Sequence, residues 1–216
     1  MDLTRGDARW QDASPKMVPR DTGPVRPVGG YHRAMTSVHL IHAGYTGDRV
    51  GSSVSFVRDG EALIVVDPGM VRRRALILDP LAELGVAPEA VTHVFLSHHH
   101  PDHTINVALF RNAEVVDFWA RYKDDLWLDH DGEGHRLSPK AELWLTPGHT
   151  EEDATLLVEA DDAVYAMTHL WWREDRTPEE DPLADDQASI EVHRARVLAA
   201  ADIVIPGHGG AFRVRP

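Results

Sequence analysis

Apolar residues in this chain fall into short runs separated by turn residues, and the runs carry two different periods. Val38-His39-Leu40-Ile41 and Ser53-Val54-Ser55-Phe56-Val57 have the β-branched content and alternation of strands. Ala62-Leu63-Ile64-Val65-Val66 is continuously apolar and follows the turn chemistry of Arg58-Asp59-Gly60-Glu61, which predicts a hairpin ending at Asp67-Pro68-Gly69. Helical spacing runs from Val71 to Leu84, with Pro80 predicting a break or kink and Gly85 suited to the C-terminal end. Val91 to Leu96 reads as a buried strand, Asp102 to Phe110 as a helix, and Glu114 to Phe118 as a strand. Beyond the turn at Asp131-Gly132-Glu133-Gly134, a strand at Ala141 to Thr146 precedes a hairpin of Thr155 to Glu159 and Ala163 to Met167. A helix from Gln187 to Ala201 and a strand at Ile203 to Ile205 complete an α/β pattern without internal repeats. Residues 1–33 are rich in Pro, Gly and Arg and lack periodicity, so they predict an irregular arm ahead of a domain over residues 34–216.

Composition narrows this picture. A chain of 216 residues, 43% hydrophobic, suffices for one sizeable core. No apolar run reaches the roughly 18 to 20 residues a membrane span needs. The first residues lack the apolar stretch of a secretory signal, so a cytoplasmic location is expected. With no cysteine there is no disulfide and no thiolate ligand, whereas 14 histidines leave imidazole and carboxylate as metal donors. The net charge of −13 opposes nucleic acid phosphates and favours a small-molecule substrate as the partner. Arg72-Arg73-Arg74, the only dense basic run, reads as a solvated helix face.

The chemistry concentrates in Ser97-His98-His99-His100-Pro101-Asp102-His103, at the end of a predicted buried strand. Alternate side chains of an extended turn share a face, so His98 and His100 can grip one cation, while Asp102 and His103 point to a second position. His149 in Thr146-Pro147-Gly148-His149-Thr150 would complete the first trio, and His208 in Pro206-Gly207-His208-Gly209-Gly210 the second. Zinc, iron or manganese would each accept these donors, as one or two ions, and the general affinity order does not choose among them. The alternative is a surface histidine run with two unrelated loop histidines. That requires three loops to follow apolar strands by coincidence. Asp129-His130-Asp131-Gly132-Glu133-Gly134-His135 is metal-like in composition, but an acidic hairpin turn accounts for it better.

His98-x-His100-x-Asp102-His103 followed by Pro147-Gly148-His149-Thr150 and Pro206-Gly207-His208-Gly209 resembles the metallo-β-lactamase superfamily. The resemblance covers roughly residues 37 to 213. It implies a four-layer αβ/βα sandwich with the metal site at one edge of the sheets. It also implies that His98, His100 and His149 hold one metal, and Asp102, His103 and His208 the other. Asp67, in the family's early motif, would support a ligand imidazole, or would be a turn aspartate. The family usually bridges its metals with an aspartate where this chain has Thr168-His169. A neutral imidazole has one free lone pair and cannot bridge as a carboxylate does. His169 would ligate one metal, hydrogen-bond to the metal-bound water, protonate a leaving group, or be structural.

Asp102 is the candidate for orienting water or shuttling its proton, besides any metal contact. Asn106 and Thr150 brace the metal loops or serve as packing and capping residues. Trp171-Trp172 walls a pocket or fills the core. The resulting expectation is a metal-dependent hydrolase of a small ester, thioester, lactone or amide. The alternatives are a phosphodiesterase or RNA nuclease of the same fold, and a catalytically silent metal-binding protein.

Overall fold

The computed structural model describes residues 35–215. The arm expected over residues 1–33 lies outside the described residues.

The first sheet begins with β1 (Thr36–His42), β2 (Val54–Asp59) and β3 (Ala62–Val66), antiparallel neighbours in sequence order. Gly60 closes the β2–β3 hairpin at φ 59, a left-handed conformation that glycine adopts without steric cost. β4 (His93–Phe95) and β5 (Glu114–Val116) then add in parallel, and β6 (Arg121–Lys123) and β7 (Leu126–Leu128) finish the seven-stranded sheet. The second sheet holds β8 (Arg136–Ser138), β9 (Ala141–Leu145), β10 (Ala154–Glu159), β11 (Val164–Thr168), β12 (Ile203–Pro206) and β13 (Phe212–Arg213), in the order β13-β12-β11-β10-β9-β8. Its one parallel pair is β11 with β12.

Alternation along each strand assigns its side chains to two different layers. Val57, Ile64, Val66 and Phe95 meet Leu143, Leu156, Val158, Met167 and Ile205 between the sheets. The intervening residues Phe56, Val65 and Val94 face outward onto Ile77 and Leu81 of α1 (Ala75–Glu83). Ala166 and Val204 face outward onto Ile190 and Val197 of α3 (Gln187–Ala200). Strands covered on both faces read as continuous apolar runs, which is the pattern of residues 62–66. The result is helix, sheet, sheet, helix: the αβ/βα sandwich.

Three local expectations are corrected. α1 starts at Ala75 rather than Val71 and carries Pro80 inside it without ending there, because Ile77 and Leu81 hold both of its turns against the sheet. Arg72, Arg73 and Arg74 therefore precede the helix and are not a face of it. The helix expected over 102–110 is only α2 (Pro101–Thr104) followed by a 3-10 turn at Val107–Leu109. Asn106 interrupts it, because its backbone N–H goes to the Pro68 carbonyl (2.9 Å) and its side-chain amide to the Gly69 carbonyl (2.6 Å). No helix among the described residues is long and apolar enough to cross a membrane.

Candidate metal centre

Five strands deliver the candidate residues to one edge. Asp67 follows β3, His98 follows β4, His149 follows β9, His169 follows β11 and His208 follows β12. Near that edge the sheets are joined by backbone bonds, Ser53 N–H to the Gly207 carbonyl and Ala154 N–H to the Ser97 carbonyl, both 2.7 Å.

The structure brings all seven sequence-identified donors together. His100 Nδ1 lies 3.1 Å from His98 Nε2 and 3.2 Å from His149 Nε2. Those separations are close to the edge, about 3.4 Å, of a tetrahedron with metal–nitrogen bonds of ~2.0–2.1 Å. On the other side, Asp102 Oδ2 lies 3.5 Å from His103 Nε2 and 3.7 Å from His208 Nε2. His169 sits between the two groups, its ring centre 4.2 Å from that of His149 and 5.0 Å from that of His103. It belongs to both close sets of potential ligand atoms, His98/His149/His169 and His103/His169/His208. A side chain at Gly207 would overlap the His169 imidazole, so the glycine makes room for this substituted position.

The outward nitrogens of four rings are held. Asp67 accepts from the Ser97 backbone N–H and hydroxyl (both 2.7 Å) and takes His103 Nδ1–H at 3.0 Å. Asp181 takes His149 Nδ1–H at 2.8 Å and the Trp172 indole N–H at 2.9 Å. The Gly51 carbonyl takes His208 Nδ1–H at 2.9 Å, and the Ser97 hydroxyl lies 3.1 Å from His98 Nδ1. Each contact to a carboxylate or carbonyl fixes the tautomer that turns the other nitrogen's lone pair inward. His103 Nε2 is buried and has no hydrogen-bond partner among the described residues. Such an atom is costly unless something fills its lone pair, and a divalent cation suits it.

Charge follows the same plan. Burial, then the neighbouring imidazoles, hold His98 and His169 well below the ordinary histidine value, and the same causes bring His208 down to about 4. Burial also pulls on His149, but its hydrogen bond to Asp181 and the Asp153 and Asp181 charges outweigh it and raise its basicity. Mostly neutral imidazoles with inward lone pairs are what a cation requires.

Asp67 thus supports His103, as the early-motif reading implied. Thr150 caps its own turn, donating its backbone N–H and hydroxyl to Asp153 at 2.8 and 3.1 Å. Trp171 is core, and Trp172 lines the cavity. His130 is bound to the Asp117 carbonyl and the Gly132 N–H, so the 129–135 segment is a structural turn. Sequence reasoning missed Asp181 and the loop Tyr45–Gly51. Asp181 sits in the polar run Glu179-Glu180-Asp181-Pro182, which carries no periodic signal. Thr46, Gly47 and Val50 of the loop, with Trp172 and Leu183, wall a cavity of about 340 Å³ over the histidines.

A paired histidine–aspartate centre at the edge of an αβ/βα sandwich defines a metal-binding class of protein. The sequence profile of the Metallo-beta-lactamase superfamily matches residues 47–214. A human relative, Metallo-beta-lactamase domain-containing protein 1, is 35% identical over 231 aligned residues, covering 94% of this chain and 86% of that protein. Its Xenopus laevis counterpart is 34% identical, with 82% of each chain covered. Among solved structures, a Thermotoga maritima protein described as a putative metallo-beta-lactamase superimposes with a TM-score of 0.66 at 17% identity, covering 83% of this chain and 99% of that one. An N-acyl homoserine lactone hydrolase gives 0.61 at 17% identity, with 81% and 93% covered. The chain belongs to the metallo-β-lactamase superfamily, whose members are generally metal-dependent hydrolases.

Proposed function

We propose that this protein is a metal-dependent hydrolase of a small ester, thioester, lactone or amide. The observation that carries the reading is the convergence of His98, His100 and His149 on one point, beside Asp102, His103 and His208. His98, His100 and His149 would hold one ion, and Asp102, His103 and His208 the other, with zinc the expected metal and iron or manganese compatible. His169 donates a lone pair to one of these positions, since burial keeps it neutral and makes it a poor acid. When bound, the metal supplies Lewis acidity and a water acidified to a pKa of about 7.

The protein's own groups then set the geometry. Asp102, whose side chain remains partly exposed to the cavity, orients the water and takes its proton. Asp181 and Asp67 hold the rings against rotation. Val50, Trp172 and Leu183 give the substrate an apolar wall, and a cavity of about 340 Å³ limits it to a small acyl group. The lactone hydrolase among the structural neighbours supports the fold alone, and the substrate class rests on the cavity.

A panel of nitrophenyl esters, acyl thioesters and lactones offered to zinc-loaded protein tests the reading. Turnover should vanish with chelator and with His100→Ala, and return when zinc is restored to the wild type. Metal-loaded protein that turns over none of the panel would sink it.

A further inference from the structure

The loop Tyr45–Gly51 closes on itself through Tyr45 N–H to the Gly51 carbonyl (2.9 Å) and Gly51 N–H to the Tyr45 carbonyl (3.0 Å). Val50 on this loop lines the histidine cavity on one side and a larger cavity of about 730 Å³ on the other. Arg49, Arg72 and Arg73 line that second cavity and also an adjoining one of about 410 Å³. All three are exposed, and none makes a side-chain hydrogen bond or ion pair among the described residues. Arg74 is different. Its Nε donates to Asn106 Oδ1 at 3.2 Å, which ties it to the loop that Asn106 anchors.

Three unpaired guanidiniums at one place are unfavourable by mutual repulsion. Arg72 and Arg73 also lie just ahead of α1, whose first turn carries no acidic residue to offset the positive end of its dipole. In a chain of net charge −13 carboxylates are plentiful, yet the one on this lining, Asp48, forms no ion pair among the described residues. An anion relieves both costs, and the planar guanidinium fork matches carboxylate and phosphate oxygens.

We propose that this arginine cavity is a subsite for an anionic group, a phosphate or carboxylate, on the substrate whose scissile bond lies among the histidines. The substrate is then bipartite. A small acyl end sits against Val50, Trp172 and Leu183, and a charged tail passes the Val50 ridge to Arg49, Arg72 and Arg73. This specifies the substrate of the hydrolase reading and rests on it. A polynucleotide fits less well, because three arginines on one side of the site do not trace a backbone and the rest of the molecule repels it.

The test has a binding arm and a kinetic arm, both with the full-length metal-loaded protein. Inorganic phosphate and succinate are titrated by calorimetry into wild type, His100→Ala and the Arg72→Ala/Arg73→Ala double variant, with Arg49→Ala as an independent single variant. At least one anion should bind wild type and His100→Ala alike, and bind the double variant about tenfold or more weakly. Which anion binds distinguishes phosphate from carboxylate. Anion binding unchanged in both arginine variants would overturn the proposal. So would no binding of either anion, and arginine-dependent binding of a single-stranded RNA oligomer would then point to a polynucleotide instead. In the kinetic arm, the double variant should raise KM for a nitrophenyl ester ending in a carboxylate and leave a neutral ester of equal length unchanged. An equal effect on both esters overturns the subsite. Hydrolysis of neither by the wild type counts against the hydrolase reading, and the binding arm still decides the anion site.

Discussion

The two halves of the histidine centre are supported in different ways. The group of His98, His100 and His149 depends on a residue far along the chain, Asp181, which grips His149 and the cavity wall residue Trp172 together. The group of Asp102, His103 and His208 depends on Asp67, which also holds the backbone of Ser97 beside His98, and on a backbone carbonyl at Gly51. The first half is therefore coupled to the cavity wall, and the second to the frame of the first sheet. His169 sits where the halves meet, bringing a neutral ring where the superfamily usually has a shared carboxylate.

Removing the two carboxylates separately breaks this comparison most sharply. Asp181→Ala should weaken the ion at His98/His100/His149 by about 10–100-fold and leave the other largely unaffected. Asp67→Ala should weaken both, because it frees His103 and the Ser97 backbone together. Metal titration with elemental analysis reads the difference, and equal effects of the two variants on both ions would refute the asymmetry. A smaller change is expected from His169→Asp. A charged acceptor between the halves should raise affinity for the second ion on the order of tenfold, as charge-assisted contacts exceed neutral ones. Unchanged stoichiometry and affinity would show that residue 169 does not face the cations.

The smallest effect is on the pH dependence of the metal-free fold. Folded His208 takes a proton only near pH 4, whereas an unfolded histidine takes one near about 6.5. Between those values the unfolded chain binds more protons, so acid favours unfolding, and above the upper value the contribution is fully present. Urea unfolding of chelator-treated protein should show about 1 kcal/mol lost between pH 6.5 and 5.5 for this one group. His208→Gln should flatten that part of the slope, and an unaltered slope would refute the assignment.

What the sequence revealed and what it hid divide along local and non-local lines. The strand at 62–66 was readable because both its faces are covered, which makes its residues continuously apolar, and the strand at 93–95 because Val94 and Phe95 face opposite layers within the apolar-flanked run Val91 to Leu96. The histidine donors were readable because two pairs lie within six residues and each later one follows a strand. The β6–β7 hairpin, with Arg121, Lys123 and an exposed Trp127, lacks the alternation that announces a strand. Asp181 acquires its role only when a distant loop folds back over His149. The arginines were misread as a helix face because helical spacing extends four residues ahead of where α1 begins.

The seam between the two sheets has a mechanical meaning. His98 and His103 come from one sheet, and His149, His169 and His208 from the other, while the paired backbone bonds at Ser53 and Ala154 keep the layers in register there. A cation at this edge is a rivet through both halves of the polypeptide, and prying the sandwich apart would first have to pull it out. Loading with zinc should therefore stabilise the whole fold and raise its unfolding midpoint, as any ligand held by the native state alone does.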